Sequence, residues 1–181
     1  MPRVPQIQQR SDVPEEAAHH FDSIASSRGR VSGPFSVLLN SPEVAGRAAH
    51  LGSYIRFEST LDPDIKELAI ITTSREFDCD YEWSAHVVLA REAGVRAEAI
   101  DAVANRGALT DLTADEALVI QYGREMFRNK RVSDGTFESA RERFGDQGVT
   151  ELTATMGYYG MLACALNTFE VEPAPDAERL P

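Results

Sequence analysis

Disulfides, membrane spans and an excess of basic charge are all missing from this sequence, and each absence removes a class of function. Two cysteines in 181 residues, Cys79 and Cys164, make no disulfide framework, so the expectation is a reduced, cytoplasmic protein. No long uncharged apolar run could span a bilayer. Residues 1–10 are polar and lack the apolar stretch of a secretory signal. Only 18 basic residues stand against 29 acidic ones, a net charge of −11. That balance argues against nucleic acid or an anionic membrane as the partner. The period-two alternation of strands is missing as well, and so is any internal repeat, which leaves an all-α chain.

What the chain does have is well-punctuated helix. Residues 1–11 read as a flexible arm, 12–170 as one helical domain, and 171–181, with three prolines, as a tail. The length allows a hydrophobic core in a single domain. Asp12-Val-Pro-Glu15 opens a helix reaching about Ser26, with Ala17, Phe21 and Ile24 inward. Phe35 to Leu39 forms a short apolar turn or helix. Ser41-Pro42 opens the next helix, with Val44, Ala48, Leu51 and Ile55 as its core face. Asp62-Pro63 opens a third, carrying Ile65, Leu68, Ala69 and Thr72. Asp80 starts a helix that Gly94 stops, and a short helix follows over residues 97–104. Thr113 and Glu116 form a capping box. Ser133 caps a helix with Phe137, Ala140 and Phe144 on one face and Gly145 at its end. The last helix, Val149 to about Phe169, is apolar nearly all round. That places it centrally in the bundle or at a subunit interface.

Chemistry collects in the stretch from Glu67 to His86. Glu82 and His86 are four apart, hence on one helical face and one turn from each other. A carboxylate there orients the imidazole for proton transfer. Cys79 falls at the helix start, where backbone N–H groups favour a thiolate. Glu67 lies in the preceding apolar run and is expected to be at least partly buried. If the two helices pack together, an acid, a base and a thiol share one pocket. Arg56 and Arg75 are the candidates for binding a substrate carboxylate. Tyr81 and Trp83 are candidates for lining the site, although both also suit plain packing. The Glu-x-x-x-His spacing is not that of a known zinc motif, so no metal is expected.

These residues carry a resemblance. From about Phe35 to Phe169, the chain is similar to the carboxymuconolactone decarboxylase and AhpD-like alkylhydroperoxidase superfamily. The likeness rests on the Pro-Phe-Ser-Val-Leu-Leu-Asn-Ser-Pro entry, the Glu67 helix, the central motif and the closing Gly-Tyr-Tyr-Gly-Met-Leu-Ala-Cys-Ala-Leu-Asn-Thr-Phe helix. The peroxidase branch carries a glutamate, eleven residues, a Cys-x-x-Cys pair, three residues and a histidine. Here Glu67, Cys79 and His86 match, but Glu82 stands where the second cysteine belongs, so Cys79 has no local disulfide partner. Cys164, far along the chain, reads as a small packing residue. The decarboxylase branch places a glutamate four before its histidine, as this chain does. The resemblance therefore implies an AhpD-like helical bundle and a homo-oligomer, whether dimer, trimer or hexamer. It implies a cofactor-independent lyase acting on a small unsaturated lactone or keto acid, with Glu67, Glu82 and His86 as acid/base groups. A thiol peroxidase using Cys79 is the alternative.

Overall fold

The computed structural model describes residues 2–181. Among them the regular elements are all helical and no strand occurs, as the lack of alternation predicts. The chain divides into two units, Met1–Ser59 with Met161–Glu172, and Thr60–Gly160 with Pro173–Pro181.

In the first unit, α1 (Ala18–Arg28) begins later than Asp12 because two short 3-10 turns, Arg10–Asp12 and Glu15–Ala17, precede it. Gly29 ends it in the left-handed region at φ 75°. α2 (Pro34–Leu38) and α3 (Pro42–Phe57) both start on proline at the first turn. α1 and α2 pack on α3. The buried face of α3 is Ala45, Ala48, Ala49, Gly52 and Ile55. Two members of the expected core stripe, Val44 and Leu51, are instead 48% and 46% exposed. The reason is close approach: a Cβ at Gly46 would lie 2.0 Å from His20 Nδ1, so the contact selects small residues over large ones. The expected flexible arm is tied down, with Arg3 N donating to Phe169 O at 2.9 Å and Ile7 N to Ser36 O at 2.7 Å.

In the second unit, α4 (Pro63–Glu76) is the central element. Every residue from 65 to 74 is buried except Glu67. Each fully buried Leu or Ile there contributes on the order of 1.5–3 kcal/mol of transfer free energy. The buried hydroxyls of Thr73 and Ser74 donate back to Ala69 O and Ile70 O, each at 2.9 Å, and so need no outside partner. Around α4 pack α5 (Asp80–Glu92), α6 (Ala97–Ala104) and α7 (Ala114–Arg124). α7 opens on the expected Thr113–Glu116 capping box. It continues as a π-helical segment, Glu125–Asn129.

α8 (Asp134–Thr168) is one run of helix broken at Gly145, whose φ of 71° and ψ of 176° are not helical. The break falls where the sequence places a helix end. Within one chain α8 is not buried all round. Thr153, Ala154, Gly157, Met161 and Cys164 form an exposed stripe down it, and Cys164 is therefore exposed rather than packed. The C-terminal residues are also fastened. Arg179 Nη1 and Leu180 N donate to the two oxygens of Asp80 at 3.1 and 3.0 Å, and Glu178 pairs with Arg91 at 2.7 and 2.8 Å. α5 is thus held near both its ends.

Candidate active site

Three residues separate α4 from α5, and the chain must reverse within them. Asp78 does so in the left-handed region at φ 47°, a conformation that costs a non-glycine residue free energy unless its surroundings hold it. Two guanidinium groups hold it here. Arg75 Nη1 and Arg106 Nη2 both donate to Asp78 Oδ1, at 2.6 and 2.8 Å. The reversal lays α5 back along α4 and brings Glu67 opposite His86.

His86 is 5% exposed, and both its ring nitrogens face carboxylates. Nδ1 lies 2.7 Å from Glu67 Oε2, a short hydrogen bond between helices. Nε2 lies 3.5 Å from Glu82 Oε2, one turn earlier on α5. That distance suits an ion pair but is long for a hydrogen bond. The nearer partner is thus Glu67, across the helix pair, and not the neighbour that the four-residue spacing singles out. Glu82 is 4% exposed. Glu67 keeps a partial opening, with 15% of its side chain exposed. A neutral imidazole has one N–H donor and one acceptor. An imidazole so placed can take a proton from, or hand one to, either carboxylate.

The ring of Tyr159, from α8, stands edge-on to His86 at 4.9 Å between centroids and 81° between planes. The sequence reading missed this residue. It lies 73 positions from His86, and only the Gly-Tyr-Tyr-Gly run could have drawn attention to it.

Cys79 lies at the start of α5, as expected, but Cys79 rather than Asp80 takes the N-cap place, and it is fully buried. Burial pushes the thiol up to about 12, and the carboxylates of Glu82 and Asp80 push the same way. The backbone N–H groups of Glu82 and Tyr81 pull it down, but by less. The expected thiolate is overturned: desolvation outweighs the helix N-terminus.

The expected substrate-binding residues have the following places. Arg75 is engaged with Asp78. Arg56 lies on α3, in the other unit, against the ring of Phe57. Trp83 is 1% exposed within the core of the second unit, with its Nε1 unpaired. Tyr81 is half-buried in the first turn of α5. Among the described residues no three His, Cys, Asp or Glu side chains are arranged to hold a metal ion. A cavity of about 720 Å³, lined among others by Leu118, Gln121, Thr136 and Arg143, includes none of the cluster. No helix among the described residues is long and apolar enough to cross a membrane.

The stretch holding Glu67, Cys79, Glu82 and His86 falls inside a family match, since residues 42–125 fit the Carboxymuconolactone decarboxylase family. Over those residues the chain is similar to the carboxymuconolactone decarboxylase family. Solved structures agree on the fold. An alkylhydroperoxidase AhpD core protein from Ralstonia eutropha JMP134, an uncharacterized peroxidase-related protein, superimposes with a TM-score of 0.78 at 18% identity over 97% of this chain and 93% of its own. A peroxidase-related protein from Silicibacter sp. TM1040 gives 0.74 at 16% identity, over 99% and 98%. The debrominase Bmp8, as a variant in complex with 2,3,4-tribromopyrrole, gives 0.73 at 13% identity, over 97% and 95%. At these identities the likeness concerns the fold alone. No curated protein matches this chain in sequence.

Proposed function

We propose that this chain is an acid/base enzyme of the lyase type, acting without a cofactor on a small unsaturated lactone or keto acid. One observation carries the reading: a buried imidazole lies between two carboxylates, 2.7 and 3.5 Å from its two nitrogens. Glu67 fixes the ring through Nδ1, and Nε2 is left to exchange a proton with Glu82 or with substrate. In a decarboxylation, the bond between carbon and the leaving carboxylate breaks and its electron pair enters the conjugated carbonyl. CO2 departs, and His86 returns a proton to carbon. Isomerisation or retro-aldol cleavage would use the same proton transfers.

A second reading has one observation in its favour. The backbone N–H groups of Tyr81 and Glu82 draw the Cys79 thiol down, and the Glu82 charge acts on it. Glu82 could therefore take the thiol proton if Cys79 were opened to solvent, which would serve the thiol chemistry of a peroxidase. The buried, protonated thiol ranks this reading second. The test assays a panel of lactones and keto acids, and a peroxide with external thiol, using the wild type, His86→Ala and Cys79→Ser. Turnover that survives Cys79→Ser and dies in His86→Ala supports the lyase. The opposite order refutes it.

A further inference from the structure

The Gly-Tyr-Tyr-Gly run, residues 157–160, has no part in the proton chemistry above, yet it delivers a ring to the imidazole. We propose that Tyr159 is a positioning residue that holds the His86 ring in the plane joining Glu67 to Glu82, an inference that rests on the acid/base reading. The hydrogen bond to Glu67 fixes one nitrogen but leaves the ring free to tilt about that contact. Glu82, at 3.5 Å, is too loose a restraint to stop it. An aromatic wall perpendicular to the imidazole, at 4.9 Å, supplies the missing restraint. It also keeps water off that side of the ring.

Tyr159 is itself fixed. It is 3% exposed, and Tyr158 stands edge-on to it at 5.3 Å and 88°. Gly160 lets α8 come close on this side. A Cβ there would lie 3.1 Å from the ring of Phe77, in the α4–α5 turn, and 3.5 Å from Phe127. Phe77 and Phe127 are themselves packed edge to face at 5.0 Å, so neither ring yields freely. The chain from Phe77 through Gly160 and Tyr159 to His86 links the turn that starts α5 to the ring that α5 presents.

Protein labelled with 15N at histidine tests this without any substrate. In the wild type the two His86 nitrogens are expected to give one sharp pair of shifts, since one nitrogen faces Glu67 and the other Glu82. Tyr159→Phe, which keeps the ring, should retain that pattern. Tyr159→Leu should collapse it toward the averaged shifts of a mobile imidazole. A folded Tyr159→Leu protein with the wild-type tautomer pattern overturns the proposal, as does a Tyr159→Phe protein that loses it. Should Tyr159→Leu fail to fold, Gly160→Ala, which displaces α8 by a few tenths of an ångström, is read in its place: broadened His86 signals support the proposal and unchanged ones overturn it. Failure of the lyase reading shows in the substrate panel and leaves this pattern untouched.

Discussion

Two buried glutamates of the second unit show how similar burial can serve different ends. Glu125, 9% exposed, opens the π-helical segment after α7. It accepts from Ser133 N at 2.6 Å, Gln121 Nε2 at 2.8 Å and Thr136 Oγ1 at 2.9 Å. Burial alone would raise its carboxyl, but these donors together bring it below the ordinary value of 4.5. All three donors are neutral and none titrates, so the carboxylate simply fastens the π segment to the start of α8. Glu82, 4% exposed, faces an imidazole. Its partner can take or give a proton, and that partner has a second carboxylate behind it. The contrast locates chemistry in the partner's ability to titrate rather than in burial.

The comparison breaks most visibly in turnover. His86→Ala and Glu67→Gln should each lower kcat/KM on an active lactone or keto acid by about 10²–10⁴, as should Glu82→Gln. The double variant Glu67→Gln/His86→Ala should lose little more than either single one, because the groups act as a unit. Glu125→Gln should leave kcat/KM nearly unchanged. A loss in Glu125→Gln comparable to that in Glu82→Gln would erase the distinction.

The thiol beside Glu82 sharpens it. With the ordinary value at 9.0 and this one near 12, the Cys79 thiolate should be scarcer by about a thousandfold at pH 8. In a Cys164→Ser background, iodoacetamide should label the folded protein far more slowly than the urea-unfolded chain, read by mass spectrometry. The sign for stability follows from the raised value. The contribution is whole below pH 9 and is lost as pH rises toward 12, because the unfolded thiol ionises first. Rapid labelling of native Cys79 would return the thiol to the chemistry.

Stability should separate the glutamates in the other direction. Glu125→Ala leaves three donors without their acceptor and should cost about 1–3 kcal/mol in urea denaturation. Because the Glu125 carboxyl is depressed, its contribution is present above pH 4.5 and is lost as pH falls further. The Glu125→Ala melt should therefore show a flatter acid limb than the wild type. The smallest expected effect concerns the assembly. Val44, Leu51, Tyr54 and Phe57 leave α3 with exposed apolar side chains, which favours self-association. Light scattering should give at least twice 19.9 kDa. A stable monomer would count against self-association.

Local signals made much of the fold legible. Pro42, Pro63, the Thr113–Glu116 box and Gly145 mark boundaries because capping and φ preferences act within a few residues. The site was legible as far as its residues share a helix or flank one, which gave Glu82, His86 and Cys79 their places. Glu67 emerged because a carboxylate in an apolar run needs a reason. The hydrogen-bond order did not emerge, since it depends on how α4 and α5 pack. Tyr159 arrives from another helix, and its one local signal, the Gly-Tyr-Tyr-Gly run, does not say which residue it meets. The Cys79 thiolate was misread because a helix N-terminus is visible in sequence whereas depth of burial is not. On α3 the expected stripe holds at Ala48 and Ile55 and fails at Val44 and Leu51, where Ala45, Ala49 and Gly52 are buried instead.

The fastening at Asp80 has a kinetic side. Its partners, Arg179 and Leu180, lie 99 and 100 positions along the chain. The turns of α5 need only neighbours and close within microseconds or less, whereas a contact of such range must wait until the intervening chain is ordered. The start of α5 is therefore secured late in folding and released early in unfolding. Weakening the tie, for example with Asp80→Asn, speeds the unfolding arm and leaves the refolding arm nearly unmoved. The end of the helix that presents the cluster is then the part of α5 whose lifetime, rather than whose formation, depends on the final residues of the sequence.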